Sequence, residues 1–178
     1  VLVGTALEAS VFLFEIPTGV LADSYSRRAS VILGVFLIGL SFLINGFYPV
    51  FWVIMLAQVL WGLGFTFTSG AQQAWISDEI GEENDGFAFI QAARWEQWGG
   101  IVGILLSVGI AVVSLQTPIL VGGFLFLLLG VYLLIRMPEN GFKPSRQQNR
   151  TRWQFLSGTL RGGVSMLKQR PALMGILA

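Results

Sequence analysis

EIPTGVLADSYSRRAS, residues 15–30, is the stretch on which the fold turns. An apolar run carrying a glutamate and a proline ends at Ala22-Asp23. It passes through Ser24-Tyr25-Ser26 and meets two arginines before the next apolar run begins. The surrounding chain of 178 residues is 54% hydrophobic and 12% charged, where a soluble domain carries about 25% charged residues. Its mean hydropathy is +0.70. In that setting the stretch reads as the end of one membrane helix, a short hairpin and the start of the next. Apolar runs of spanning length recur along the chain, the pattern of an all-α, polytopic transmembrane bundle.

Composition excludes several chemistries. Cysteine and histidine are both absent. The chain therefore has no disulfide framework, no Ser/His or Cys/His catalysis and no His-ligated metal. Neither an enzyme activity nor a cofactor is expected. The net charge of +1 gives no reason to expect a nucleic-acid partner, because the basic residues lie between apolar runs. No charged region followed by a small-residue cleavage site marks a signal peptide. The chain opens inside one apolar run and stops inside another, and is expected to be a fragment of a longer protein.

Five spanning helices are expected at about 1–22, 30–47, 50–75, 87–113 and 119–135, each near the roughly 20 residues that cross a bilayer core. A polar, acidic loop, DEIGEENDG (78–86), separates the third from the fourth. A polar segment, 136–170, precedes a new apolar start at 171–178. Arg27 and Arg28 lie between the first two helices, and the remaining basic residues outside the helices lie in 136–170. The opposite connections have none. The positive-inside rule then makes 23–29, 76–86 and 136–170 cytoplasmic in a multi-pass protein of the cell membrane. Residues 31–47 and 119–135 contain no charge, so the second and fifth helices are the candidates for facing lipid. Their spacing hints at a three-helix repeat. In the polar segment, Trp153, Leu156, Leu160, Val164 and Leu167 recur at three- and four-residue steps. They predict an amphipathic helix on the inner membrane surface, with a soluble linker helix as the alternative.

The hairpin can be read residue by residue. Gly19 lets another backbone approach. Asp23 stands where the helix leaves the membrane, and Arg27 and Arg28 anchor to the inner leaflet or pair with an acid. An ordinary cytoplasmic hairpin with topology-setting arginines would look the same. At this point Gly19-Val-Leu21-Ala-Asp23-Ser-Tyr-Ser-Arg27-Arg28 resembles the G-x-L-x-D-R-x-G-R-K/R signature of the major facilitator superfamily, which links its helices two and three. Glu15-Ile-Pro17-Thr-Gly19 and Ser69-Gly70-Ala-Gln-Gln-Ala74-Trp75-Ile-Ser-Asp78 resemble its drug-efflux-like members. The resemblance covers essentially the whole chain and makes its helices the family's two to six.

The resemblance implies a secondary transporter of two six-helix halves with alternating access around a central cavity. Its partners would be a small-molecule substrate, the lipid bilayer, protons as coupling ion and the C-terminal half of the same chain. It implies a conformational latch of Gly19, Leu21, Asp23, Arg27 and Arg28, with Asp78 or Glu79 as the local partner of an arginine. Ser24 and Ser26 depart from the signature's arginine and glycine. Gln58 stands where proton-coupled members often carry an arginine. Gly99, Gly100, Gly103 and Gly109 occur where an antiporter motif would also have a proline, and read as close-packing positions.

A charge near the bilayer centre costs about 2.5–3.5 kcal/mol, so such residues face protein or water. Glu15 lies eight residues before Asp23, about 12 Å into the membrane, with Glu8 on the same helix face. Beside Pro17, Glu15 is a candidate proton or cation site, or a structural hydrogen-bond donor. Arg94 is placed to stack on Trp98 and is expected in a buried pair, with binding of an anionic group, completion of a gate or snorkelling to the inner surface as alternatives; Glu96 points elsewhere and its role is left open. Glu15, Glu8, Gln58, Arg94 and Glu96 are thus the candidate coupling or substrate path. The function expected is proton-driven efflux of small amphipathic compounds. Uptake or facilitated diffusion of a polar solute is the alternative, and a non-transporting scaffold the second alternative.

Overall fold

Why the chain breaks where it does is visible in three short connections. Ser26 is extended, with φ −172° and ψ 124°, and its side chain accepts a hydrogen bond from the Ala29 N–H at 2.9 Å, which starts a helix. Tyr48-Pro49 separates the next pair, with the Tyr48 N–H closing on the Ile44 carbonyl at 3.1 Å. Gly81, at φ +86°, takes a left-handed conformation that a side chain would strain. The structure, a computed structural model, describes residues 2–81, 85–112 and 114–142. These hold five helices in order: α1 Leu2–Ser24, α2 Arg27–Phe47, α3 Phe51–Ile80, α4 Asp85–Ala111 and α5 Thr117–Arg136. The fold is an all-α transmembrane bundle. Among the described residues α1, α2, α3 and α5 are long and apolar enough to cross a membrane. α4 is long enough but less apolar, because Gln91, Arg94, Glu96 and Gln97 occupy its first half.

α2 is the centre of the bundle, and this corrects the expectation that it faces lipid. It packs against α3 on one side and α5 on another, burying Val31, Ile32, Val35 and Ile38. Glycines set the approach. A Cβ at Gly34 would stand 2.5 Å from the Gly64 carbonyl of α3, and one at Gly39 would stand 3.0 Å from the Gly123 carbonyl of α5. The absence of charge did not mean lipid exposure. In hydrocarbon, apolar surface has no preference between lipid and protein, and small residues decide which face is packed. α5 buries only Gly123 and Gly130 along its length. α1 lies on α3, where Thr18 Oγ1 donates to the Thr66 carbonyl at 3.2 Å and Gly62 makes room for Ser10.

Several helices also run further than expected. α1 continues to Ser24, and α2 starts at Arg27, so the connection is Tyr25-Ser26 alone. α3 continues to Ile80, so Asp78 and Glu79 stand on helix rather than in a loop. Loss of hydropathy marks where a helix leaves the membrane, not where its hydrogen bonds end. Among the described residues no side chain of α4 is buried, and Gly99, Gly100, Gly103 and Gly109 have nothing within 4 Å of a built Cβ. The close packing expected there is not made among the described residues. The amphipathic helix expected within 152–170 and the apolar start at 171–178 lie outside the described residues.

Candidate functional site

Arg27 and Arg28 occupy the first turn of α2, where the positive end of the helix dipole disfavours cations. Three carboxylates offset this. Asp23, one turn back on α1, lies 3.4 Å from Arg27 Nη2. Asp78, on the last turn of α3, accepts from Arg27 Nη1, which also donates to the Ala74 carbonyl at 2.9 Å. The Arg27 guanidinium thus ties the ends of α1 and α3 to the start of α2. The side chains of this triad are mostly shielded, at 19% exposure for Arg27, 16% for Asp23 and 25% for Asp78. Such shielding strengthens the pairing relative to a surface bridge.

The third carboxylate is Glu139, which the sequence reading did not single out. It accepts from Ser26 Oγ at 2.8 and 2.9 Å and from the Arg28 N–H at 3.0 Å. It therefore neutralises the start of α2 from beyond the end of α5. Arg28 itself turns away, donating through Nη2 to the Leu134 carbonyl of α5 at 2.6 Å. The residues after α5 continue across the ends of the helices. Met137 is buried with Ala22, Val31, Ile32, Val35 and Ala71. Trp75 Nε1 donates to the Pro138 carbonyl at 2.7 Å. Glu79 accepts from the Asn140 and Gly141 N–H groups at 2.5 and 2.9 Å, so it holds backbone and, among the described residues, not an arginine. A Cβ at Gly141 would collide with the Asp78 backbone. The Phe142 ring lies 5.9 Å from the Arg27 guanidinium carbon, within cation–π range. Residues 137–142 are thus a strap over the hairpin. Pro-Glu-Asn-Gly is an ordinary turn composition, and only the packing reveals what its carboxylate caps.

The other predicted residues fall elsewhere. Leu21 is 48% exposed, and its side chain is outside the triad. Gly19 has nothing within 4 Å of a built Cβ, so the close approach expected there is not made among the described residues. Glu8 and Glu15 are exposed on α1, with Glu8 on a small groove beside Val11, Trp61 and Phe65. Gln58 is half-buried on α3. Arg94 is exposed, and the buried pair and the stacking on Trp98 are not formed among the described residues. The reason lies in α4, whose charged first half is not packed into the bundle. Glu96 lines a groove between α3 and α4. Among the described residues no group of carboxylates is placed to hold a metal ion.

Comparison with known proteins identifies the family. The family model described as Major Facilitator Superfamily matches residues 2–178. An uncharacterized MFS-type transporter, YxaM, of Bacillus subtilis (strain 168) is 26% identical over 140 residues, 78% of this chain and 35% of that protein. An uncharacterized transporter, BU466, of Buchnera aphidicola subsp. Acyrthosiphon pisum (strain APS) is 32% identical over 75 residues, 42% of this chain and 19% of that protein. The chain thus spans about a third or less of the curated relatives it matches. No solved structure matches it significantly. With its signature hairpin tied between three helices and the family model matched along nearly its whole length, this chain belongs to the Major Facilitator Superfamily.

Proposed function

We propose that the complete protein is a secondary transporter that works by alternating access and exports small amphipathic compounds in exchange for protons. The observation that carries this reading is the Arg27 guanidinium held between Asp23 and Asp78 at the ends of three helices. A shielded, multi-partner ion pair at helix ends is bistable: it holds one packing firmly and, once broken, leaves charges that water must solvate. That is what a latch between two conformations requires. The hairpin, the end of α3 and residues 136–170 lie on the cytoplasmic side in this reading, as the arginine and lysine distribution favours. Both relatives carry transporter names, which supports transport and leaves the substrate open.

The test uses full-length protein in inside-out membrane vesicles with an imposed proton gradient. Accumulation of lipophilic cations and neutral amphiphiles is followed with and without an uncoupler, alongside Asp23→Asn. Accumulation that collapses with the uncoupler and is lost in the variant is expected. Flux that ignores the gradient would instead favour the second reading, uptake or facilitated diffusion of a polar solute. Gln58 favours that reading, since a neutral amide cannot supply the charge that an arginine would bring to coupling. A protein that moves no solute in either direction would return the weight to a scaffold.

A further inference from the structure

The groove between α3 and α4, of about 560 Å³, is lined by polar and aromatic side chains together. α3 presents Thr68, Ser69, Gln72 and Gln73 to it, and α4 presents Glu96. These α3 positions form one helical face, and so do Phe89, Ala92, Ala93 and Glu96 on α4. The side-chain amides of Gln72 and Gln73 and the Glu96 carboxylate make no hydrogen bond among the described residues. Gln72 lies six residues before the latch residue Asp78, on the order of 9 Å into the helix from that end. Unpartnered amides and a carboxylate at that depth do not face hydrocarbon, where each costs several kcal/mol. Such groups favour water, protein or a polar guest over lipid.

The groove also has a sign. Among the described residues lining it, Glu96 is the sole charged one. Arg94, two residues earlier, points about 200° round the helix and lies outside it. Phe65 and Phe89 supply aromatic surface at the same walls, suited to the apolar body of a guest and to the face-on approach of an ammonium group. We infer that this groove is a subsite for a small organic cation, with Glu96 pairing its charge, Gln72 and Gln73 its hydrogen-bonding groups, and the phenylalanines its apolar part. The substrate wording rests on the transporter reading above; the binding of a cation does not. A lipid tail or another helix of the complete protein seated in the groove are the competing occupants.

The test reads charge selectivity directly, without knowledge of the natural solute. Gln73→Cys, and separately Ser69→Cys, are introduced into full-length protein freed of any other cysteine. In inside-out vesicles the thiol is modified with trimethylammonioethyl methanethiosulfonate, a quaternary ammonium reagent, and with its anionic sulfonatoethyl counterpart. The cationic-to-anionic rate ratio is expected to fall about tenfold when Glu96→Gln is added, the scale of a charge interaction over several ångströms in a partly hydrated site. No modification at either position, meaning a groove filled by lipid or by another helix, would overturn the inference. So would a ratio that Glu96→Gln leaves unchanged. Flux of the unmodified protein is measured in the same vesicles. Failure of transport with charge-selective labelling intact would sink the transporter reading and leave the cation site standing.

Discussion

At the scale of the residue, Arg27 decides the most. Its guanidinium pairs with Asp23 and Asp78 and caps the Ala74 carbonyl. Reversing it with Arg27→Asp places three carboxylates together, and Asp78→Arg places two guanidiniums together. Each single change is expected to abolish accumulation in vesicles and to lower stability by about 1–3 kcal/mol. The double exchange is expected to restore activity in part. The new arginine on α3 can reach the new carboxylate at position 27, but Asp23 then faces a like charge on α2. Absence of any rescue in transport would show that the two side chains do not act as a pair. Glu139 is the second such residue. Glu139→Ala leaves the Ser26 hydroxyl and the Arg28 N–H without their acceptor. A loss of about 1–2 kcal/mol, the size of a lost helix cap with its dipole term, is expected in thermal unfolding of the detergent-purified protein. An unchanged melting temperature would mean that water replaces the carboxylate without cost.

At the scale of the element, α2 is a helix defined by its glycines. Where α2 crosses α3, Gly34 and Gly64 bring the two backbones within reach of each other's carbonyls, at 2.5 and 2.8 Å from the built Cβ atoms. A methyl group at Gly34 meets backbone, which cannot swing aside. Gly34→Ala is expected to destabilise the full-length protein by about 1–3 kcal/mol, the cost of overpacking. Gly122→Ala on α5, whose Cβ would meet Phe42 at an ordinary 3.7 Å, is expected to be neutral or to gain up to about 1 kcal/mol from helix propensity. Thermal unfolding of the two variants side by side checks the contrast, and equal effects would show that the crossing is not close. The same logic explains α4. Its charged first half and open glycines leave it with no buried side chain among the described residues.

At the scale of the whole molecule, the strap 137–142 turns a hairpin into a closed network. It joins the exit of α5 to the ends of α1, α2 and α3 through Glu139, Trp75, Glu79 and Phe142. A motion that separates these ends must break several contacts together, which makes the network switch-like rather than gradual. Orientation is a prediction at this scale. Tyr25 and Tyr48 are both exposed, at 79% and 64%, and lie at opposite ends of α2. An impermeant maleimide is expected to label Tyr25→Cys in inside-out vesicles and Tyr48→Cys in intact cells. The reverse pattern would invert the topology drawn from the arginines.

The sequence by itself determined the class of fold and the residues of the hairpin. Membrane helices satisfy their backbone hydrogen bonds internally, so length, apolarity and the positions of Arg27 and Arg28 are enough to locate them. It also made Asp78 and Glu79 candidate partners for those arginines, because both stand at the same ends of the helices. What only the tertiary structure decided is which partners meet. Arg27 is given to Asp78, Glu79 to backbone N–H groups, and the start of α2 to Glu139, more than a hundred residues away. It also decided that α2, charge-free beyond its first turn, lies at the centre while α4, which carries Arg94 and Glu96, lies open. The physical reason is one and the same. Apolarity tells a residue that it can leave water but not which neighbour it will find, and that choice is made by small residues and paired charges from distant parts of the chain.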